Sequence, residues 1–162
     1  MAVAVFRTPN IEGEVVAYDS PKGLRLVATF STMPTGMHGF HIHKAGDLRG
    51  EGCKGLCEHY DIGHHSHGGP PTSKKERHTG DLGNIEWKGK KIRKTYTLRG
   101  IKATQLWGRS IILHEGKDDL GRGHAEDSHT TGHSGARMGC AIFGRTYPTK
   151  NVRHTRKRRQ TG

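Results

Sequence analysis

The sequence has no apolar run near the ~20 residues that a membrane-crossing helix needs. It is also poor in the side chains that fill a helical core: 31% of residues are hydrophobic and 6% aromatic. Cysteine is scarce, at three in 162 residues. That count excludes a disulfide-dense scaffold, and being odd it leaves at least one thiol unpaired within the chain. Acids are outnumbered, with 15 Asp and Glu against 27 Lys and Arg, for a formal net charge of +12. The opening MAVAVFRTPN meets Arg7 and Pro9 before an apolar signal core can form. The expectation is a soluble, cytoplasmic protein with no membrane contact, or one whose signal has been removed.

Glycine is plentiful instead, with 24 residues, about twice the usual share. Short runs with strand character recur: VAVF, EVVAYD, LRLVATF, HGFHIH, KIRKTYTLR, SIILHE and ARMGCAIFG. In KIRKTYTLR, Ile92, Tyr96 and Leu98 share one face, and Lys91, Arg93, Thr95, Thr97 and Arg99 share the other. That is the period of a half-buried strand. Turn signals such as SPKG, MPTG and EWKGKK separate several runs, which predicts an antiparallel sandwich or barrel. Residues 47–84 and 116–135 are too long and polar for tight turns, and long loops in a compact domain are usually functional or disordered.

The charge is partly local. Residues 148–162 carry Lys150, Arg153, Arg156, Lys157, Arg158 and Arg159 with no acid among them, and removing these six still leaves the body at +6. The expected organisation is a folded domain over 1–147 and a basic tail over 148–162. The tail has little to bury and is expected to be disordered. It suggests contact with a nucleic acid or another polyanion, and with that a nucleic-acid-containing particle as an alternative location. A protein acting mainly through this tail is one alternative function, although no nucleic-acid-binding motif accompanies the charge.

The 13 histidines are the most informative residues. Alternate residues of a strand face the same way, so His41 and His43 in GFHIH stand side by side. His59, the HHSH cluster, ERHTGD and LHEGKDD add more imidazoles and carboxylates. Imidazole is a good ligand for copper and zinc, and a carboxylate can complete a zinc tetrahedron. A metal site follows from the donor chemistry alone.

GFHIH, ERHTGDLGNI, GRSIILHEGKDDLGRG and TTGHSGARMGCAIFG, in that order, resemble signatures of the copper/zinc superoxide dismutase family, over residues 2–144. The resemblance implies an all-β fold, a Greek-key β-sandwich or barrel of about eight antiparallel strands with two long functional loops. It implies an enzyme converting superoxide, a small anion, to oxygen and hydrogen peroxide. Copper would be held by His41, His43, His59 and His114, and zinc by His59, His67, His78 and Asp81, with the His59 ring shared between them. The eight-residue step from His59 to His67 is why His67 is preferred over His64 or His65. Asp118 would bond ligands of both metals; Arg137 would serve catalysis by drawing in the anion, and His59 by taking up a proton at its shared ring. Thr131 would form the opposite wall of the channel. Thr130 and Gly116 stand where the family places lysines, which leaves steering to the generally basic body.

The same resemblance pairs Cys53 with Cys140 in a disulfide, leaving Cys57 free or competing. A zinc finger built on Cys53 and Cys57 is disfavoured, because no second cysteine pair follows. His38 reads as a structural histidine, and His64, His65, His124, His129 and His133 as solvated loop residues. Homodimerisation is implied too, through a patch including Leu106, Trp107 and Ile142, although Arg145 takes an ordinarily apolar position there. The remaining alternative is a non-enzymatic copper/zinc-binding protein on the same fold.

Overall fold

The computed structural model describes residues 1–147, so the tail expected over residues 148–162 lies outside the described residues. Nine strands follow in chain order: β1 (Ala2–Arg7), β2 (Glu12–Ser20), β3 (Gly23–Thr32), β4 (Gly36–His43), β5 (Asp81–Trp87), β6 (Ile92–Leu98), β7 (Ser110–His114), β8 (Arg137–Ile142) and β9 (Gly144–Arg145). They form two sheets, ordered β6-β3-β2-β1-β9 and β5-β4-β7-β8, with every pair antiparallel. The all-β antiparallel sandwich read from the sequence is the fold observed. The count exceeds eight because Gly144 and Arg145 pair briefly with Val3 and Ala2.

Alternation decides which face of each strand enters the core. Ala2, Ala4 and Phe6 of β1 are buried, as are Leu24, Leu26, Ala28 and Phe30 of β3. In β6, Tyr96 and Leu98 point inward as the period predicts. From the second sheet, Phe40, Ile42, Ile111 and Leu113 meet these side chains to close one core. Phe30 bridges the sheets, its ring centroid 5.3 Å from Phe6 and 6.0 Å from Phe40. Among the described residues, no helix is long and apolar enough to cross a membrane.

β4 and β7 break the pattern of a sheet wet on one side. Every residue from His38 to His43, and from Ser110 to His114, is buried. Phe40 and Ile42 face the core, so His41 and His43 occupy the opposite face, where long loops cover them. The loop after β4 folds back to make an isolated bridge between His43 and His59. Tyr60 N–H then donates to Ile42 O at 2.7 Å, and Lys44 N–H to Glu58 O at 3.0 Å. A disulfide between Cys53 and Cys140, 87 residues apart, ties this loop to β8, as expected. Closing a loop of that length removes about 4–5 kcal/mol of unfolded-chain entropy in the chain-entropy account.

Candidate metal centre

Four rings converge on the covered face of the second sheet. His41 and His43 come from β4, His114 from the end of β7, and His59 from the loop held against His43. Their ligand atoms lie within 4.8 Å of one another, and all four side chains are buried. His41 Nδ1, His43 Nε2, His59 Nε2 and His114 Nε2 have no hydrogen-bond partner. A buried polar atom left unpaired costs about 1–3 kcal/mol. Four such nitrogens aimed at one place are the signature of a cation site with all-imidazole ligands, a set that suits copper.

The opposite nitrogen of three of these rings is engaged, which sets the tautomer. His41 Nε2–H donates to Asp118 Oδ2 at 2.7 Å, His43 Nδ1–H to Cys57 O at 2.8 Å and His114 Nδ1–H to Gly135 O at 3.1 Å. Each bond fixes the ring and leaves the other nitrogen's lone pair free for an ion.

His59 differs. Its Nε2 belongs to the first cluster, while its Nδ1 lies 2.8 Å from Asp81 Oδ1, inside a second cluster of His59, His67, His78 and Asp81. There Asp81 Oδ1 stands 3.0 Å from His67 Nδ1 and 3.3 Å from His78 Nδ1, and His78 Nδ1 stands 3.3 Å from His59 Nδ1. The His67 approach lacks hydrogen-bond alignment, since His67 Nδ1 counts among the unpartnered buried atoms. A tetrahedron with Zn–N bonds of about 2.0 Å has edges of about 3.3 Å, so three nitrogens and one oxygen at this spacing suit zinc. The His59 ring is central to both clusters, its centroid 4.1 Å from His41, 4.9 Å from His43, 5.1 Å from His67 and 5.3 Å from His78.

Asp118, fully buried, links the clusters from behind. Its Oδ2 takes His41 Nε2–H, and its Oδ1 takes His67 Nε2–H at 2.8 Å. These three residues also group as potential ligands, but their atoms are already spent on each other. Asn84 of β5 holds the Asp118 backbone from both sides, accepting its N–H at 2.7 Å and donating to its carbonyl at 2.9 Å. Gly132, at φ 70°, passes so close that a Cβ there would collide with Asp118 Oδ1 and His67 Nε2.

Electrostatics separates the two groups. Burial, then the nearby His59 ring, lowers His41 to about 3 despite the Asp118 bond. Burial lowers His114 to about 4, with His59 adding to it, and pushes His43 well below the usual imidazole range. These rings are neutral at pH 7 and can accept a cation without first losing a proton. His67 runs the other way. Burial opposes its charge, but the hydrogen bond to Asp118 and then the close Asp81 carboxylate raise it to about 9. Asp118 sits at about 2 because its bonds to His41 and His67 outweigh burial. Asp81 stays far below the carboxylate range as His59, His67 and His78 outweigh its burial. A dication taking the second cluster therefore displaces a proton from His67.

Arg137 pairs directly with His114 across β7 and β8. It is half-buried, and its guanidinium donates from Nη1 to Cys53 O at 2.8 Å and from Nη2 to Cys57 O at 2.7 Å. Its charge is close enough to contribute to the depression of both His43 and His114. Neither carbonyl bond neutralises it, so a cation remains beside the first cluster. Thr131 is bound to Asp127, through its carboxylate at 2.8 Å.

The remaining histidines fall where the sequence reading puts them. His38 spans backbone carbonyls, with Nδ1 3.0 Å from His114 O and Nε2 3.0 Å from Pro34 O. His64, His65, His124, His129 and His133 are exposed. Cys57 is free and exposed. Three contributors were missed: Asn84, Gly132 and the carbonyls of Cys53, Cys57 and Gly135. Backbone carbonyls carry no sequence signal, whereas Asn84 lies within the ERHTGDLGNI motif beside the zinc-ligand candidates. Leu106 is a correction: it is 0% exposed because the short 3₁₀ turn Ala103–Leu106 tucks it into the core, so it offers nothing to a dimer patch.

With this geometry in place, the description "Copper/zinc superoxide dismutase (SODC)" matches residues 11–143. The chain belongs to the copper/zinc superoxide dismutase family. A superoxide dismutase [Cu-Zn] of Paramecium bursaria Chlorella virus 1 is 39% identical over 150 residues, covering 88% of this chain and 77% of that protein. The human copper chaperone for superoxide dismutase is 37% identical over 149 residues, 90% of this chain but 53% of the chaperone. Among solved structures, the clock protein EA4 superposes with a TM-score of 0.78 at 33% identity, covering 88% of this chain and 92% of that one. Membership of the family goes with the shared fold and with donor clusters that suit copper and zinc, and its members include proteins named as dismutases and others named as copper chaperones.

Proposed function

We propose that this protein is an active superoxide dismutase, with residues 1–147 as the catalytic domain. In this reading His41, His43, His59 and His114 hold copper, and His59, His67, His78 and Asp81 hold zinc. The observation that carries it is the set of four unpartnered buried nitrogens beside the Arg137 guanidinium. Copper held there would supply one-electron redox chemistry at an all-nitrogen site, and zinc, having none, would order the loop.

The chain's own residues handle the anion and the protons. Arg137, clamped by two carbonyls, keeps a fixed positive charge beside the first cluster and binds and orients superoxide. Its two partners are backbone atoms, so the anion meets no competing carboxylate on that guanidinium. His59 Nε2, buried and without a protein partner, is the atom at which a proton is held and released. Asp118 keeps the His41 and His67 rings in the tautomers that leave their lone pairs pointing at the ions. The balance is two superoxide ions and two protons giving one oxygen and one hydrogen peroxide.

A homodimer is the proposed working form, in keeping with membership of the family, and a cytoplasmic location is proposed from the sequence alone, since relatives include extracellular dismutases. Trp107, 39% exposed and with Arg145 5.4 Å from its ring, and half-buried Ile142 are the remaining apolar candidates for a contact. A polyanion-binding role for residues 148–162 is proposed only from their charge.

The second reading, a copper/zinc-binding protein without turnover, is favoured by the chaperone relative. Metal analysis with a cyanide-sensitive superoxide assay separates them. The enzyme reading expects about one copper and one zinc per chain together with turnover. Both metals without turnover would establish the second reading. The variant His114→Ala should lose copper and activity while keeping zinc, and unchanged activity would overturn the ligand assignment.

A further inference from the structure

Away from the metal centre, a cleft of about 1270 Å³ opens between the β2–β3 turn, the loop over residues 70–77 and β6. Five cations line it: Lys22, Lys75, Arg77, Lys94 and Arg99. No Asp or Glu is among the lining residues, and none of the five makes a salt bridge among the described residues. Two are tethered to backbone carbonyls, which positions them, although the Asp61 and Asp81 carboxylates also act on Arg77. Lys94 Nζ donates to Asn84 O at 2.7 Å, and Arg77 donates to Thr79 O at 3.0 Å and to Asp81 O at 2.6 Å. Lys22, Lys75 and Arg99 are exposed and have no side-chain hydrogen bond to protein.

Like charges gathered around a concave space repel one another, and a ligand carrying several adjacent negative charges relieves that repulsion. The hydroxyls of Thr72, Thr95 and Thr97 add neutral donors. β6 is also the edge strand of its sheet, so half of its N–H groups face away from β3. The charged and hydroxyl side chains here can all donate to anionic oxygen, and the other lining residues, Pro21, Pro70, Pro71 and Tyr96, bring no acidic group. The cleft exceeds the ~300–1,000 Å³ of ordinary small-ligand pockets, which argues against a lone anion. Its one aromatic, Tyr96, is only 5% exposed, so no ring is offered for stacking on a base.

We propose that this cleft is a binding site for an oligophosphate chain, recognised through its consecutive phosphates rather than through an attached base. The site is separate from the dismutase reading and stands without it. The probe is inorganic tripolyphosphate, titrated calorimetrically into the metal-loaded full chain at about physiological salt. The variant Lys75→Glu/Arg99→Glu reverses two cleft charges. Arg7→Glu/Lys90→Glu changes net charge equally at exposed positions outside the cleft lining. Both variants retain the residue 148–162 segment, so any contribution from it cancels.

The cleft variant should bind tripolyphosphate about tenfold or more weakly, and the control variant within about threefold of the parent. Orthophosphate should bind far more weakly than tripolyphosphate. Should the cleft variant not fold, Lys75→Gln/Arg99→Gln replaces it with the same expected ordering. Equal losses in both variants would show attraction by net charge alone and overturn the proposal. So would single-stranded DNA competing at equal phosphate concentration, since that would make the cleft a nucleic-acid surface.

Discussion

His41 Nε2–H donates to Asp118 Oδ2 at 2.7 Å, and both side chains are 0% exposed. One buried carboxylate thus sets which nitrogen of a copper-group ring is free, while its other oxygen does the same for His67 of the zinc group. Replacing it by Asp118→Asn keeps the shape but turns one acceptor into a donor that faces an N–H. Affinity at both clusters should fall, by about 10–100-fold for zinc. Competition with a chromophoric chelator measures it, and unchanged affinity for both metals would remove Asp118 from the account.

Arg137 supplies charge beside the copper group without being placed as a ligand. Arg137→Gln should lower kcat/KM for superoxide by about tenfold or more and flatten its dependence on ionic strength. Metal content should stay as in the parent. Loss of copper from this variant would instead make the guanidinium a structural brace for the Cys53–Cys57 turn.

The metal-free protein should be most stable near pH 6.5. His41 and His114 are lowered to about 3 and about 4. The unfolded chain takes up those protons near pH 6.5 while the folded chain does not. Their contribution is therefore full above that pH and falls as pH drops, by about 1.4 kcal/mol per pH unit for each group. His67 is raised to about 9, so its contribution is full below pH 6.5 and is lost as pH rises through 9. Thermal melts of the chelator-treated protein at about pH 4.5, 6.5 and 9.5 check this, and the highest Tm belongs at the middle value.

Gly132 serves by lacking a side chain. Its φ of 70° lies in the left-handed region, and a Cβ would meet the Asp118–His67 pair. Gly132→Ala should cost about 1–2 kcal/mol for the backbone alone, more from the collision, and weaken zinc binding with it. Urea unfolding read beside zinc affinity tests the coupling. A loss of stability with zinc affinity intact would separate the glycine from the site.

Much of this architecture is legible in the residues themselves. The period of KIRKTYTLR places Tyr96 and Leu98 inward, and the pairing of His41 with His43 on one face follows from strand geometry alone. The meeting of His59, His114 and Asp118 with that strand does not follow from local pattern, because each arrives from a distant segment. Motif resemblance supplied those positions, not periodicity. Leu106 shows the limit of reading exposure from hydrophobicity: a one-turn helix rotates it inward while neighbouring Trp107 stays partly out. Lys94 shows another, since it shares the inward parity of Tyr96 yet reaches sideways to Asn84 O and stays exposed.

The central claim is that the one ring of His59 joins both ions. It is tested most directly by replacing zinc with cobalt in copper-loaded protein and recording the copper paramagnetic resonance signal. A shared imidazole couples the two spins, so the copper signal should collapse when cobalt enters and return when cobalt is removed. A copper signal that keeps its full intensity and shape beside bound cobalt would place the ions on separate rings and contradict the account.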